Sequence, residues 1–175
     1  MFQLSVLDHM STEPAGGFER ISMCDDGDCM HELKNSKNPH AREMAGRLYK
    51  RQLYKRAVYA GQDQVNMAAF QTGWSIERAR KIAGEIASMA GCEAAEVLVD
   101  IPPIPGNMSL EVQVKNRHVL VGFSEISPRL QTLNQTRQEQ WRLGVYTLPE
   151  YREVVADAAA EILHIKKPTR QDTLF

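Results

Sequence analysis

The sequence predicts an α+β fold, with an N-terminal helical segment followed by a mostly antiparallel four-stranded sheet with packed helices. Three observations predict it. The first third has apolar residues at three- and four-residue spacing and no alternating run. The period switches to two at Ala95–Ile101 and again at Leu110–Val114. Helix-start signals then return at Ser127-Pro128 and Pro149, between and after the later strands.

Residues 1–17 close on Glu13-Pro14-Ala15-Gly16-Gly17, a strong breaker. Residues 18–35 read as one or two short helices interrupted at Asp25-Asp26-Gly27-Asp28, where an Asp caps the helix running through Met30 and Leu33. Asn38 is a cap with Pro39 at the first helical position. From there one long helix is expected to about Ala60, because only Gly46 interrupts it and Gly61 follows. Ser75 caps a helix over 76–90, with Ile76, Ala79, Ile82, Ala83, Ile86 and Met89 as its buried row and Gly91 as its stop. Strands follow at 95–101, 110–114, 118–123 and 141–148, the middle two as a hairpin. A helix from Pro128 precedes the last strand. A final helix from Pro149 to Leu163 buries Tyr151, Val154, Val155, Ala158, Ala159 and Ile162. The expected organisation is a helical region over 1–65 with a basic helix at about 39–60, an α+β domain over 75–165 and a flexible basic tail over 166–175.

With 43% hydrophobic and 25% charged residues the chain can bury a core. No stretch approaches the roughly 20 apolar residues of a membrane span, and no secretory signal opens the sequence. Three cysteines do not make a disulfide framework, so a reducing cytoplasm is the expected location. Cys24, Cys29 and His31 lack a fourth ligand for a closed zinc site, and Asp25-Asp26-Gly27-Asp28 lacks the ligand spacing of an EF-hand. Among the five histidines only His9 follows a carboxylate, Asp8. Gly16-Gly17 has neither the Lys-Ser nor the strand-to-helix switch of a phosphate loop.

The net charge of -1 hides an asymmetry. Residues 1–35 carry seven acids against two bases, and residues 37–56 carry seven bases against one acid. On a continuous helix Arg47, Arg51 and Lys55 fall four apart and form one basic row, with Tyr49 and Tyr54 interleaved. Arginine offers bidentate contacts to phosphate and lysine adds a mobile point charge. A polyphosphate fits such a row; a solvated face with long aliphatic stems is the alternative.

The segment from Asn38-Pro39-His40-Ala41-Arg42 through Arg47-Leu48-Tyr49-Lys50-Arg51-Gln52-Leu53-Tyr54-Lys55-Arg56 resembles a stretch of HD-superfamily phosphohydrolases of the dNTP triphosphohydrolase type. Met23-Cys24-Asp25-Asp26, Val97-Leu98-Val99-Asp100-Ile101-Pro102, Ser127-Pro128 and Val145-Tyr146 extend the likeness in the same order over roughly residues 18–163. The resemblance is to the C-terminal region of such enzymes, without the catalytic HD core. The family's metal is held by a His, a His-Asp doublet and a later Asp; here Asp8-His9 is the reverse of that doublet. The resemblance therefore implies no cofactor in this chain, a metal belonging to the HD core, and no nucleotide hydrolysis by the chain alone. In vertebrate members, positions matching Arg51 and Lys55 help bind an activating nucleotide at a subunit junction; a further family lysine aligns near Ile126.

The tail Gln171-Asp172-Thr173-Leu174-Phe175 resembles the start of a sliding-clamp-binding box, with Gln171, Leu174 and Phe175 as its anchors. The expectation is a regulatory and oligomerisation module in which Arg51 and Lys55, supported by Arg47, hold nucleotide phosphates. Its expected partner is a second copy or an HD-domain catalytic chain, which it would complete as a split enzyme. The alternatives are an accessory protein associated with nucleic acid or the clamp, and a purely structural dimerisation module.

Overall fold

The computed structural model describes residues 1–13, 17–66, 75–108, 112–116, 119–123 and 127–166. Among them are seven α-helices, a three-stranded sheet and a two-stranded sheet, both antiparallel, so the fold is α+β. The chain divides into two compact units, Met1–Lys55 with Thr147–Glu150, and Arg56–Tyr146 with Tyr151 onward.

The first unit is built from α1 (Phe2–Met10), α2 (Gly17–Met23), α3 (Asp26–Lys34) and α4 (Pro39–Tyr49). The Asp25 carboxylate accepts the Asp28 N–H at 2.8 Å and starts α3. The Asn38 side chain accepts the N–H groups of His40 and Ala41 at 3.0 and 3.3 Å, and Pro39 takes the first helical position of α4. Ala41, Met44 and Ala45 lie on one face of α4 and are buried, as are Cys29 and Leu33 of α3. Small alanines let the helices approach closely; α4 packs against both α1 and α3. Because the Asp25 cap is solvent-exposed and isolated, Asp25→Ala is expected to cost about 1 kcal/mol, measured by chemical denaturation.

In the second unit the sheet order is β1 (Lys55–Gly61), β5 (Arg142–Thr147), β2 (Val97–Asp100), so β5 is central. Leu143 and Val145 of β5, with Val97 and Val99 of β2 and Ala60 of β1, enter one core. Helices α5 (Ile76–Ala90) and α7 (Arg152–Ile162) pack on it through Ala83, Ile86, Ala87, Val155, Ala158 and Ala159. Most of the expected row of α5 (Ala79, Ala83 and Ile86, with Ile82 at the margin) and of α7 (Val155, Ala158 and Ala159, with Tyr151 and Ile162 at the margin) packs inward. Ile76, Met89 and Val154 are exposed, and Ala87 takes a core position, because small residues face the helix-helix contact. Helix α6 (Pro128–Glu139) buries only Leu130. It is held instead by polar ties, with Asn134 bonded to both the N–H and the carbonyl of Met108.

The expected four-stranded sheet is in fact two sheets. Among the described residues, strands β3 (Gln113–Asn116) and β4 (Val119–Gly122) pair only with each other, in the register Gln113↔Gly122 to Asn116↔Val119. Leu120 of β4 and Val112, just before β3, are exposed, while Val114 and Val121 are half-buried. The strands expected at 95–101, 110–114, 118–123 and 141–148 correspond to β2, β3, β4 and β5, and β1, which the sequence reads as the end of a helix, is a further strand beside β5. No helix among the described residues is long and apolar enough to cross a membrane.

Candidate functional site

The basic segment is not one helix. Helix α4 stops at Tyr49, Arg51 takes a left-handed backbone with φ 57°, and Lys55 opens β1. The stop has a specific hydrogen-bond pattern. The Arg51 N–H reaches the Leu48 carbonyl at 3.1 Å, and the Gln52 N–H reaches the Arg47 carbonyl at 2.9 Å. These are the paired bonds of a Schellman C-cap, whose left-handed position is usually glycine. Helix α5 ends the same way with Gly91 (φ 72°), where Cys92 N–H reaches the Ala87 carbonyl. In α4 an arginine stands where α5 has glycine.

Arg47, Arg51 and Lys55 therefore do not share a helical row. Arg47 is committed locally: its guanidinium pairs with Glu43 at 2.9 Å and lies 5.8 Å from the Tyr54 ring centroid. Tyr54 is buried and offers no face to a ligand. Tyr49 is exposed, but the Lys34 ammonium sits 3.9 Å from its ring centroid. Arg51 and Lys55 are exposed, and among the described residues no carboxylate pairs with either. Their charge is available to an anion. The tail residues Gln171, Leu174 and Phe175 lie outside the described residues, as does Ile126.

A second polar constellation escapes a reading by sequence neighbours. Ser5, Asp8, His9 and Ser36 are all buried in the first unit. Asp8 and His9 do not meet each other. The Asp8 carboxylate contacts His40 Nδ1 at 2.5 Å, and His9 Nδ1 shares a hydrogen bond with Ser36 Oγ at 2.9 Å. Ser5 Oγ donates to the Ala41 carbonyl, and Asn38 Nδ2 donates to the Asp8 carbonyl. Nucleophile-like Ser36 is only 1% exposed, so no substrate reaches it. The cluster ties α1 to α4 and to the turn before it.

All three cysteines are free thiols. Burial, then the neighbouring Cys24, raises the Cys29 thiol above its ordinary value, which keeps it protonated and unreactive. Among the described residues no group of three or more His, Cys, Asp or Glu side chains is arranged to hold a metal ion.

A family model described as "HD associated region" matches residues 1–174. The chain belongs to the HD-associated region family. A search of curated proteins finds no match to it. Membership makes the chain a region associated with HD-superfamily proteins and gives it an accessory role to an HD domain.

Proposed function

We propose that this HD-associated region is a non-catalytic regulatory and oligomerisation module of an HD-type nucleotide phosphohydrolase, with Arg51 and Lys55 holding the phosphates of a nucleotide. The observation that carries the reading is Arg51 itself. It occupies a left-handed position at φ 57° where glycine would be favoured, and its side chain is exposed and unpaired among the described residues. A residue kept at an energetic disadvantage points to a use for its side chain. The guanidinium offers a bidentate grip on phosphate, and the Lys55 ammonium adds a second charge. Arg47, neutralised by Glu43, supports the turn rather than the ligand. On this reading the catalytic metal belongs to an HD core, in the same assembly or on a separate chain that this one completes.

Thermal unfolding of the full chain with dGTP, dATP and GTP, against an inorganic phosphate control, tests it. A ligand at about 100 times its Kd adds about 2.7 kcal/mol to stability, a shift of several degrees. The expected result is a rise in Tm with at least one nucleotide, lost when Arg51→Ala is combined with Lys55→Ala. Equal melting with and without every nucleotide, or a shift that survives the double substitution, sinks the proposal.

A further inference from the structure

The three-stranded sheet of the second unit has one face covered by α5 and α7 and one face open. Residues alternate across a strand, so Leu143 and Val145 of β5 enter the core while Arg142, Gly144 and Tyr146 turn outward. Tyr59 of β1 and Asp100 of β2 join them. The C-terminal end of α6 and the proline-rich loop after β2 wall the face into a cleft of about 420 Å³, within the range of small-molecule sites.

Three features of this cleft point to a ligand. The first is its pair of arginines. Arg142 donates from Nη1 to the carbonyls of Glu139 and Trp141, and Arg137 donates to the Gly106 carbonyl at 3.3 Å. Both guanidiniums are thus fixed by main-chain oxygens, and among the described residues neither is neutralised by a carboxylate. Two positioned cations without an ion pair, against the single carboxylate Asp100 in the lining, favour an anion. The second feature is a pair of aromatic rings. Tyr59 is 51% exposed with the Arg56 guanidinium 4.4 Å from its ring centroid, which leaves one face of the ring for a ligand, and the Tyr146 ring folds back over Gly144, where an added Cβ would meet it at 2.6–2.9 Å. The glycine gives the ring its place. Trp141 braces the wall, its indole N–H donating to the Pro102 carbonyl at 2.8 Å. The third is Asp100, an exposed acceptor beside the rings. Burial and then the Asp100 charge raise the Tyr146 phenol above its ordinary value, so it is a protonated donor at neutral pH.

We propose that this cleft binds a planar aromatic ligand that carries an anionic group: the ring lies against Tyr59 and Tyr146, the anion meets Arg137 and Arg142, and a ring N–H donates to Asp100. A nucleoside monophosphate and an aromatic carboxylic acid share this chemistry. Isothermal titration separates them, using the full chain carrying Arg51→Ala and Lys55→Ala so that the basic turn cannot contribute. The probes are GMP and indole-3-acetate; guanosine (ring without anion) and ribose 5-phosphate (anion without ring) are controls. One of the two probes is expected to bind at least about tenfold more tightly than either control. GMP alone identifies a nucleotide source and indole-3-acetate alone an aryl acid. Tyr59→Ala and Arg137→Gln, both away from the core, are each expected to weaken that binding about tenfold while the thermal melt is retained. The proposal is overturned if neither probe binds below about 1 mM, if ribose 5-phosphate binds as well as GMP, or if both substitutions leave the affinity unchanged.

Discussion

Replacing Asp8 with alanine is expected to lower the stability of the chain by about 2–3 kcal/mol, read from the urea midpoint at constant m-value. The Asp8 side chain is 8% exposed and touches His40 Nδ1 at 2.5 Å. Removing the carboxylate leaves the imidazole, whose Nε2 already lacks a partner among the described residues, without its charge-capable neighbour. A fully buried pair would lose about 3–5 kcal/mol; the His40 side chain is 30% exposed, so water compensates part of the loss and the lower range applies. The effect should concentrate on α1, which meets α4 through Ser5, Asp8 and the adjacent His9–Ser36 pair. Hydrogen exchange of the α1 amides should accelerate more than that of α5. In a double-mutant cycle, His40→Ala should add little once Asp8 is gone. A loss below about 0.5 kcal/mol would reduce the contact to an ordinary surface pair.

That cluster shows why part of the molecule was illegible from sequence. Asp8 directly precedes His9, yet neighbouring residues on a helix project about 100° apart and cannot face each other. Their real partners, His40 and Ser36, are 32 and 27 residues away. Helix α1 hides for the same reason. Its buried positions are Ser5, Asp8 and His9, so the face turned inward is polar, and Met1 gives no side-chain cap. Elements with a side-chain cap were readable: Asn38-Pro39 starts α4, Ser75 and Gly91 bracket α5, and Ser127-Pro128 starts α6. The β3–β4 hairpin was readable from alternation, but alternation does not say which sheet a strand joins.

The helix expected over 39–60 ends early for a different reason. A helix stop is recognised by glycine, and α4 stops on a non-glycine residue. The apolar row did carry a trace of it. Ala41, Met44, Ala45 and Leu48 keep helical phase, whereas Leu53, Ala57 and Ala60 drift off it, because the chain has left α4 for the connection at Leu53 and for β1 at Ala57 and Ala60. Of the candidate site, the residue types and their charge were legible. The geometry that separates Arg47 from Arg51 and Lys55 was not.

The same stop makes Arg51→Gly the sharpest test of function. An L-residue in the left-handed region costs about 1 kcal/mol or more relative to glycine, which has no Cβ to clash. Glycine also loses more freedom on folding, which offsets part of that gain. The expected net result is a rise in stability of about 0.5–1 kcal/mol without ligand, a few degrees in Tm. The same variant should lose the nucleotide-dependent shift, because the bidentate donor is gone. Arg51→Ala should lose the shift with no gain in stability, since alanine keeps the Cβ clash. Arg51→Lys should keep the backbone cost and only part of the shift, because a point charge replaces a fork of donors. Opposite signs for intrinsic stability and ligand response in one variant are what a residue retained for binding produces. Were Arg51→Gly to leave the nucleotide shift intact, the arginine would be an accident of the helix end and the phosphate site would lie elsewhere. Were it to destabilise the chain, the Arg51 side chain would be holding the turn itself, and the strain at φ 57° would have a structural explanation instead.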